Sequence, residues 1–236
     1  MKTPSVESKP IKREDVKTVE TNFINQVYSW MTGALGLTGL VAWYVAGNPN
    51  FINALFNHSF VFFGLIILEL VVVGYLSGAI NKISSQTAVA LFLGYSALNG
   101  LTLSIFFLVY TAGSLSSTFF ICAGTFALMS LYGYTTKKDL TKIGNLAFMA
   151  LIGLILASVV NFFLKSEMLY WTVTYVGVLI FVGLIAYDTQ KIKIMSREGF
   201  YGEEEQKKGA VIGALRLYLD FINLFLFLLR IFGRRK

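Results

Sequence analysis

Residues 59–80 read SFVFFGLIILELVVVGYLSGAI, twenty-two positions in which Glu69 is the only formal charge. A helix that crosses the hydrocarbon core of a bilayer needs about 20 predominantly apolar residues, so this stretch has spanning length. Working outward, six further stretches read the same way: 26–46, 86–111, 116–135, 145–164, 170–190 and 210–232. The breaks between the seven are NPN, NKISS, AGSL, TKKDLTK, KSEM and IMSREGFYGEEEQKK, each polar or glycine-containing, as interfacial loops are. Trp30, Trp43, Tyr44, Tyr170 and Trp171 fall near predicted span ends, where an aromatic belt forms.

Composition agrees. Of 236 residues, 56% are apolar and 14% charged, with a mean hydropathy of +0.66, against about 25% charged residues in soluble domains. The expected fold is an all-α polytopic membrane protein with seven transmembrane helices. It divides into a polar cytoplasmic N-terminal tail (1–25), a transmembrane domain (26–232) and a basic C-terminal tail (233–236). No secretory signal peptide is expected, because the first apolar run has spanning length and no evident cleavage site. Cys122 is the single cysteine, so no intrachain disulfide can form.

The net charge of +7 reads as a topology signal; no nucleic-acid partner is expected. With a cytoplasmic N-terminus, the cytoplasmic segments hold fourteen Lys and Arg residues and the outer connecting loops hold Lys165 alone, the asymmetry of the positive-inside rule. The terminal FGRRK breaks that pattern, since seven spans place it outside. Either it is tolerated there or the last apolar segment stops short of crossing. The connection from Lys191 to Gly209 is expected to be a hydrated cytoplasmic segment, mobile from Ile194 onward. Gly33, Gly36 and Gly39 recur every third residue of the first span and are expected to permit close helix packing.

Three of the thirteen acids lie in apolar runs: Glu69, Asp188 and Asp220. A charge at the bilayer centre costs about 2.5–3.5 kcal/mol on insertion scales, so such residues face the bundle interior, find partners and mark functional sites. Asp188 ends an apolar run three residues before Lys191, and local pairing with that lysine is one reading of it. Asp220 lies deeper, ten residues into its span, or about 15 Å at helical rise. Arg216 and Asn223 share its helix face, and Arg216 could neutralise it. Glu69 has no charged residue within a turn. If the two aspartates meet, two carboxylates in a poorly hydrated place cannot both be ionised cheaply. Such a pair responds to pH, and unprotonated it offers hard oxygen ligands to a divalent cation such as calcium.

AYDTQKIK, followed after a charged segment by LYLDFINLFLFLLRIFG, resembles the signature of the Bax inhibitor-1 family. SLYGYTTKKDL (130–140) and FMALIGLILASVVNFFLKS (148–166) resemble its bacterial members in particular. The resemblance covers the chain beyond its polar tail. It implies a seven-helix bundle with the last helix central, and a hydrogen-bonded pair of Asp188 and Asp220 acting as the pH sensor of a calcium leak channel. It implies a multi-pass protein of the bacterial inner membrane. Glu69 stands where related sequences commonly carry a second-helix acid, so it is expected to face the pore. Asn223, by its place on the Asp220 face, and Arg216, a cation the family pattern does not supply, are expected to line the pore or modulate the pair. Family members can carry an arginine near the cytoplasmic end of the second helix, latched to the first aspartate. Here Ile80 or Asn81 holds that place, with Lys82 close by.

The alternative is an interaction protein that restrains a membrane protease or another membrane partner without moving ions. A proton-coupled transporter is a third class, but the paired halves and broken helices of such proteins are not evident. No enzyme activity and no cofactor are expected. The single histidine, His58, falls in the loop before the second span, and HExxH, GxSxG and P-loop motifs are absent from the sequence.

Overall fold

The computed structural model describes residues 13–56 and 59–236, so His58 and residues 1–12 of the expected tail lie outside the described residues. The described chain forms α1 (Arg13–Ala46), α2 (Pro49–Phe56), α3 (Ser59–Ala79), α4 (Ser85–Val109), α5 (Ala112–Thr135), α6 (Thr141–Leu164), α7 (Glu167–Glu198) and α8 (Glu203–Phe232). Six of these, α3 to α8, are long and apolar enough to cross a membrane. The apolar half of α1 is diluted by Thr32, Thr38 and three glycines and falls outside that set.

The short helix α2 occupies the NPN break. Pro49 takes the first helical position, where its missing N–H costs nothing. The Asn48 side chain accepts from the Asn50 amide at 3.1 Å.

Burial sorts the helices. In its apolar window α8 is 67% buried, whereas α3 and α6 are each 6% buried. Helix α8 packs against α1, α4, α5 and α7. The faces of α3 and α6 present side chains such as Phe60, Ile67, Leu146, Phe162 and Phe163, each at least half exposed. Apolar surface on this scale requires a non-aqueous environment.

Both ends of α8 are tied to α4. The Glu204 carboxylate accepts from the Ser85 amide at 2.6 Å and the Ser85 hydroxyl at 2.7 Å. At the far end the Thr111 amide donates to the Arg234 carbonyl, and the Lys236 amide to the Val109 carbonyl, each at 3.0 Å. The last helix therefore runs parallel to α4 over its whole length, and the basic terminal segment sits at the α4–α5 turn.

Two expectations are corrected. The segment Lys191–Gly209 is mostly helical: α7 continues to Glu198 and α8 begins at Glu203. Only residues 199–202 break the helix, with positive φ at Gly199 and Gly202, a conformation that favours glycine. The charges that suggested a solvated loop instead support a helix start. Glu203–Glu205 occupy the first turn of α8, where acids favour the helix dipole. Lys207 reaches back to Glu203 at 3.3 Å, and Lys208 to Glu204 at 3.8 Å. Phe200 anchors the break by packing on Phe23, ring centroids 4.8 Å apart.

The α1 glycines do not serve close packing either. A β-carbon at Gly33, Gly36 or Gly39 would meet nothing within 4 Å. The close approach of α1 and α4 depends on Gly100, where a β-carbon would lie 2.7 Å from the Val41 β-carbon. Gly133 does the same for α5 against α7, where an added β-carbon would collide with the Ala186 carbonyl.

Candidate functional site

The motif YDTQ lies on α7, and each residue is held from a different direction. The Tyr187 ring covers Gly144 of α6 so closely that a β-carbon there would overlap it. The Thr189 hydroxyl donates to Ser130 of α5 at 3.3 Å. Gln190 accepts from the Leu140 amide and donates to the Lys138 carbonyl, both at 2.8 Å, which pins the α5–α6 connection. These contacts fix the rotation of α7 and turn Asp188 toward α8.

On α8 the corresponding stretch is LYLDFIN. Tyr218, fully buried, bonds the Thr38 hydroxyl of α1 at 2.7 Å. The same hydroxyl donates to the Ser96 carbonyl of α4 at 2.8 Å. With Tyr218 facing α1 and α4, Asp220 faces α7.

There the two carboxyl groups lie within hydrogen-bonding reach of each other. Asp220 is 5% exposed, and its Oδ2 has no hydrogen-bond partner. Asp188 also accepts from Arg216 Nη1 at 3.5 Å. The ion pair thus crosses from α8 to α7; it does not run down one helix face from Arg216 to Asp220. Lys191 turns to the Tyr187 hydroxyl, 3.2 Å away. The cation facing Asp188 comes from the last helix, not from the region of Ile80 and Asn81.

Asp188, Arg216, Asp220 and Asn223 line a cleft of about 370 Å³ whose other walls are apolar, among them Leu151, Leu154, Phe181 and Phe227. Asn223 donates to the Leu219 carbonyl of its own helix at 2.8 Å. Glu69 lies elsewhere, on α3, where Thr102 of α4 donates to it at 2.5 Å. Among the described residues no three His, Cys, Asp or Glu side chains converge as metal ligands. The site offers two carboxylates on neighbouring helices and one guanidinium.

Residues 20–236 match the family described as Inhibitor of apoptosis-promoting Bax1. The chain belongs to the Bax inhibitor-1 family. Inner membrane protein YbhL of Escherichia coli strain K12 is 55% identical over 215 residues, covering 91% of this chain and 92% of that protein. A protein of Borreliella burgdorferi is 45% identical over 218 residues, covering 92% and 94%. One from Rickettsia prowazekii is 42% identical over 219 residues, covering 91% and 90%. This Bax inhibitor-1 chain thus matches these relatives over nine-tenths or more of their length, and both aspartate motifs lie within the residues matched to the family.

Three residues that shape the site are not evident as such in the sequence. Tyr218 reads as one more apolar position, yet its hydroxyl fixes the rotation of α8. Gln190 reads as the polar end of the 170–190 span, yet it is buried and holds two backbone groups. Glu20 is buried on α1 and binds Arg197 of α7 at 3.1 Å. Its place in a polar N-terminal stretch gave no sign of that.

Proposed function

We propose that this Bax inhibitor-1 protein is a pH-sensitive calcium leak channel of the bacterial inner membrane, gated by Asp188 and Asp220. The observation that carries this reading is the buried Asp220 carboxyl, one oxygen unpartnered, beside Asp188 in a cleft whose remaining walls are largely apolar. At low pH both carboxyls are protonated, hold α7 and α8 together by a hydrogen bond and accept no calcium. As the last proton leaves, two like charges face each other. At about 4 Å and an effective dielectric constant near 20, their repulsion is on the order of 4 kcal/mol. Separation, hydration or cation binding relieves it, and each of these opens the path beside α8. Calcium is the cargo here, held in passing by the two carboxylates.

The same reading makes α1 the seventh span, α8 the central helix and the N-terminus cytoplasmic. It is supported by the Lys and Arg asymmetry and by the attachment of α8 to both ends of α4. YbhL is by name an inner membrane protein, which supports the same location here.

The test is calcium uptake into proteoliposomes between about pH 5 and pH 8. Uptake rises with pH in the parent chain, and that rise is lost in Asp188→Asn. A parent flux independent of pH contradicts the gate. A second reading, a non-transporting protein that restrains a membrane protease or another membrane partner, draws on α3 and α6, whose outer faces are almost wholly unburied. Under it, the purified chain moves no ion in the same liposomes.

A further inference from the structure

The terminal basic segment is unexplained by either reading. Arg234, Arg235 and Lys236 lie at the α4–α5 end of the bundle, where the connecting loops otherwise carry only Lys165. Their backbone is fixed. Besides the Thr111 and Val109 bonds already described, the Ser114 hydroxyl donates to the Arg234 carbonyl at 3.3 Å, and Arg235 pairs with Tyr110 as an antiparallel bridge. The Lys236 ammonium donates to the Phe107 carbonyl at 2.8 Å. Arg234 and Arg235 are exposed, and among the described residues neither makes an ion pair.

Directly beside this edge lies a cleft of about 360 Å³ between α1 and α5, backed by α4 and α8. Leu35, Gly39, Phe106, Phe107, Leu115 and Phe225 line it. Phe107 joins the two features, because it lines the cleft and its carbonyl holds Lys236. Phe120 on the rim is 72% exposed, so the cleft opens sideways toward the apolar surroundings of the bundle. Its volume falls within the range of ligand pockets, about 300–1,000 Å³, and a wall this apolar does not hold ordered water.

We propose that this cleft and the terminal arginines together form a site for one anionic phospholipid of the surrounding bilayer. An acyl chain fills the space between α1 and α5, and the phosphate lies against Arg234 and Arg235. Charge complementarity decides the occupant. A neutral lipid would fill the cleft and leave unused two exposed guanidinium groups that make no ion pair among the described residues. A free phosphate would engage the arginines and leave the apolar space empty. Guanidinium groups suit phosphate by their planar donor geometry, and basic residues near a membrane surface add attraction for anionic lipid.

The experiment is native mass spectrometry of the purified full chain, supplied with equimolar phosphatidylglycerol and phosphatidylcholine. The parent retains one lipid and prefers phosphatidylglycerol. Arg234→Gln with Arg235→Gln lowers that preference on the order of tenfold. Gly39→Leu, placed where an added β-carbon meets nothing within 4 Å, lowers retention of either lipid while helix content stays at the parental level. Three results would overturn the site: no preference in the parent, an unchanged preference in the double variant, or unchanged retention in Gly39→Leu. Displacement of the lipid by millimolar inorganic phosphate would also overturn it, marking an anion site without a lipid chain.

Discussion

Asp220 and Glu69 are both acids placed about midway along apolar helices, and their surroundings differ in kind. Glu69 lies on α3, at the edge of the bundle, and a neutral hydroxyl from Thr102 satisfies it at 2.5 Å. Asp220 lies on the most buried helix, with one oxygen unpartnered and a second acid within hydrogen-bonding reach. Arg216 completes that group by pairing with Asp188 at 3.5 Å. An acid bonded to a hydroxyl on a neighbouring helix has one comfortable arrangement. An acid held against another acid has two, and proton concentration chooses between them. Under the proposed gate, switching belongs to the α7–α8 pair, and Glu69 makes a fixed polar contact.

The largest effect is expected from Asp220→Asn. It removes one of the two like charges, so calcium uptake in proteoliposomes loses its pH dependence and the ratio between about pH 8 and pH 5 falls to near one. A retained ratio would remove Asp220 from the gate. Arg216→Ala sharpens the comparison further. Without the cation beside Asp188 the ionised state is harder to reach, so the midpoint of the uptake curve moves up by roughly one pH unit. A downward move would mean that the guanidinium does not act on the pair.

Glu69→Gln keeps a hydrogen-bonding group at the Thr102 hydroxyl. It is expected to leave the uptake midpoint where it was and to cost within about 1.5 kcal/mol of stability, the range of a single hydrogen bond. A midpoint shifted as far as in Arg216→Ala would erase the distinction between the two acids. The smallest effect belongs to Asp139, in the α5–α6 connection. Hydrogen bonds from the Thr141 hydroxyl and amide, at 2.6 and 2.9 Å, hold its carboxyl below the usual carboxylate range. Its contribution is therefore present above the ordinary value of 3.8 and lost only as pH falls further. Asp139→Asn should leave uptake unchanged between about pH 5 and pH 8, in line with exposed substitutions generally.

Much of this arrangement is legible in the sequence. Apolar length alone places the cores of α3 to α8, because no other signal competes with a run of spanning length; the stretch 26–46 is helical as part of α1 but is not apolar enough to join them. The depth of Asp220 and its shared face with Arg216 follow from helical rise and period. What the sequence does not disclose is rotation and partner choice. Arg216 is four residues from Asp220 and meets Asp188, because the turns of α7 and α8 are set by Gln190, Thr189 and Tyr218, whose roles depend on helices distant in sequence. The charged stretch from Lys191 to Gly209 misleads for a related reason. Its composition reads as solvated loop, yet Glu–Lys pairs one turn apart and the Phe200–Phe23 contact carry both helices to within four residues of each other. The α1 glycines mislead because spacing marks a face without saying what lies opposite it.

The central claim, that protons operate the contact between α7 and α8, is tested most directly by the separation of the Asp188 and Asp220 carboxyl groups in bilayer-embedded structures at about pH 5 and pH 8. The account predicts hydrogen-bond contact at the acidic value. At the alkaline value it predicts a wider separation, with water or a cation between the carboxylates. The same separation at both values, in a protein whose calcium uptake still varies with pH, would contradict it.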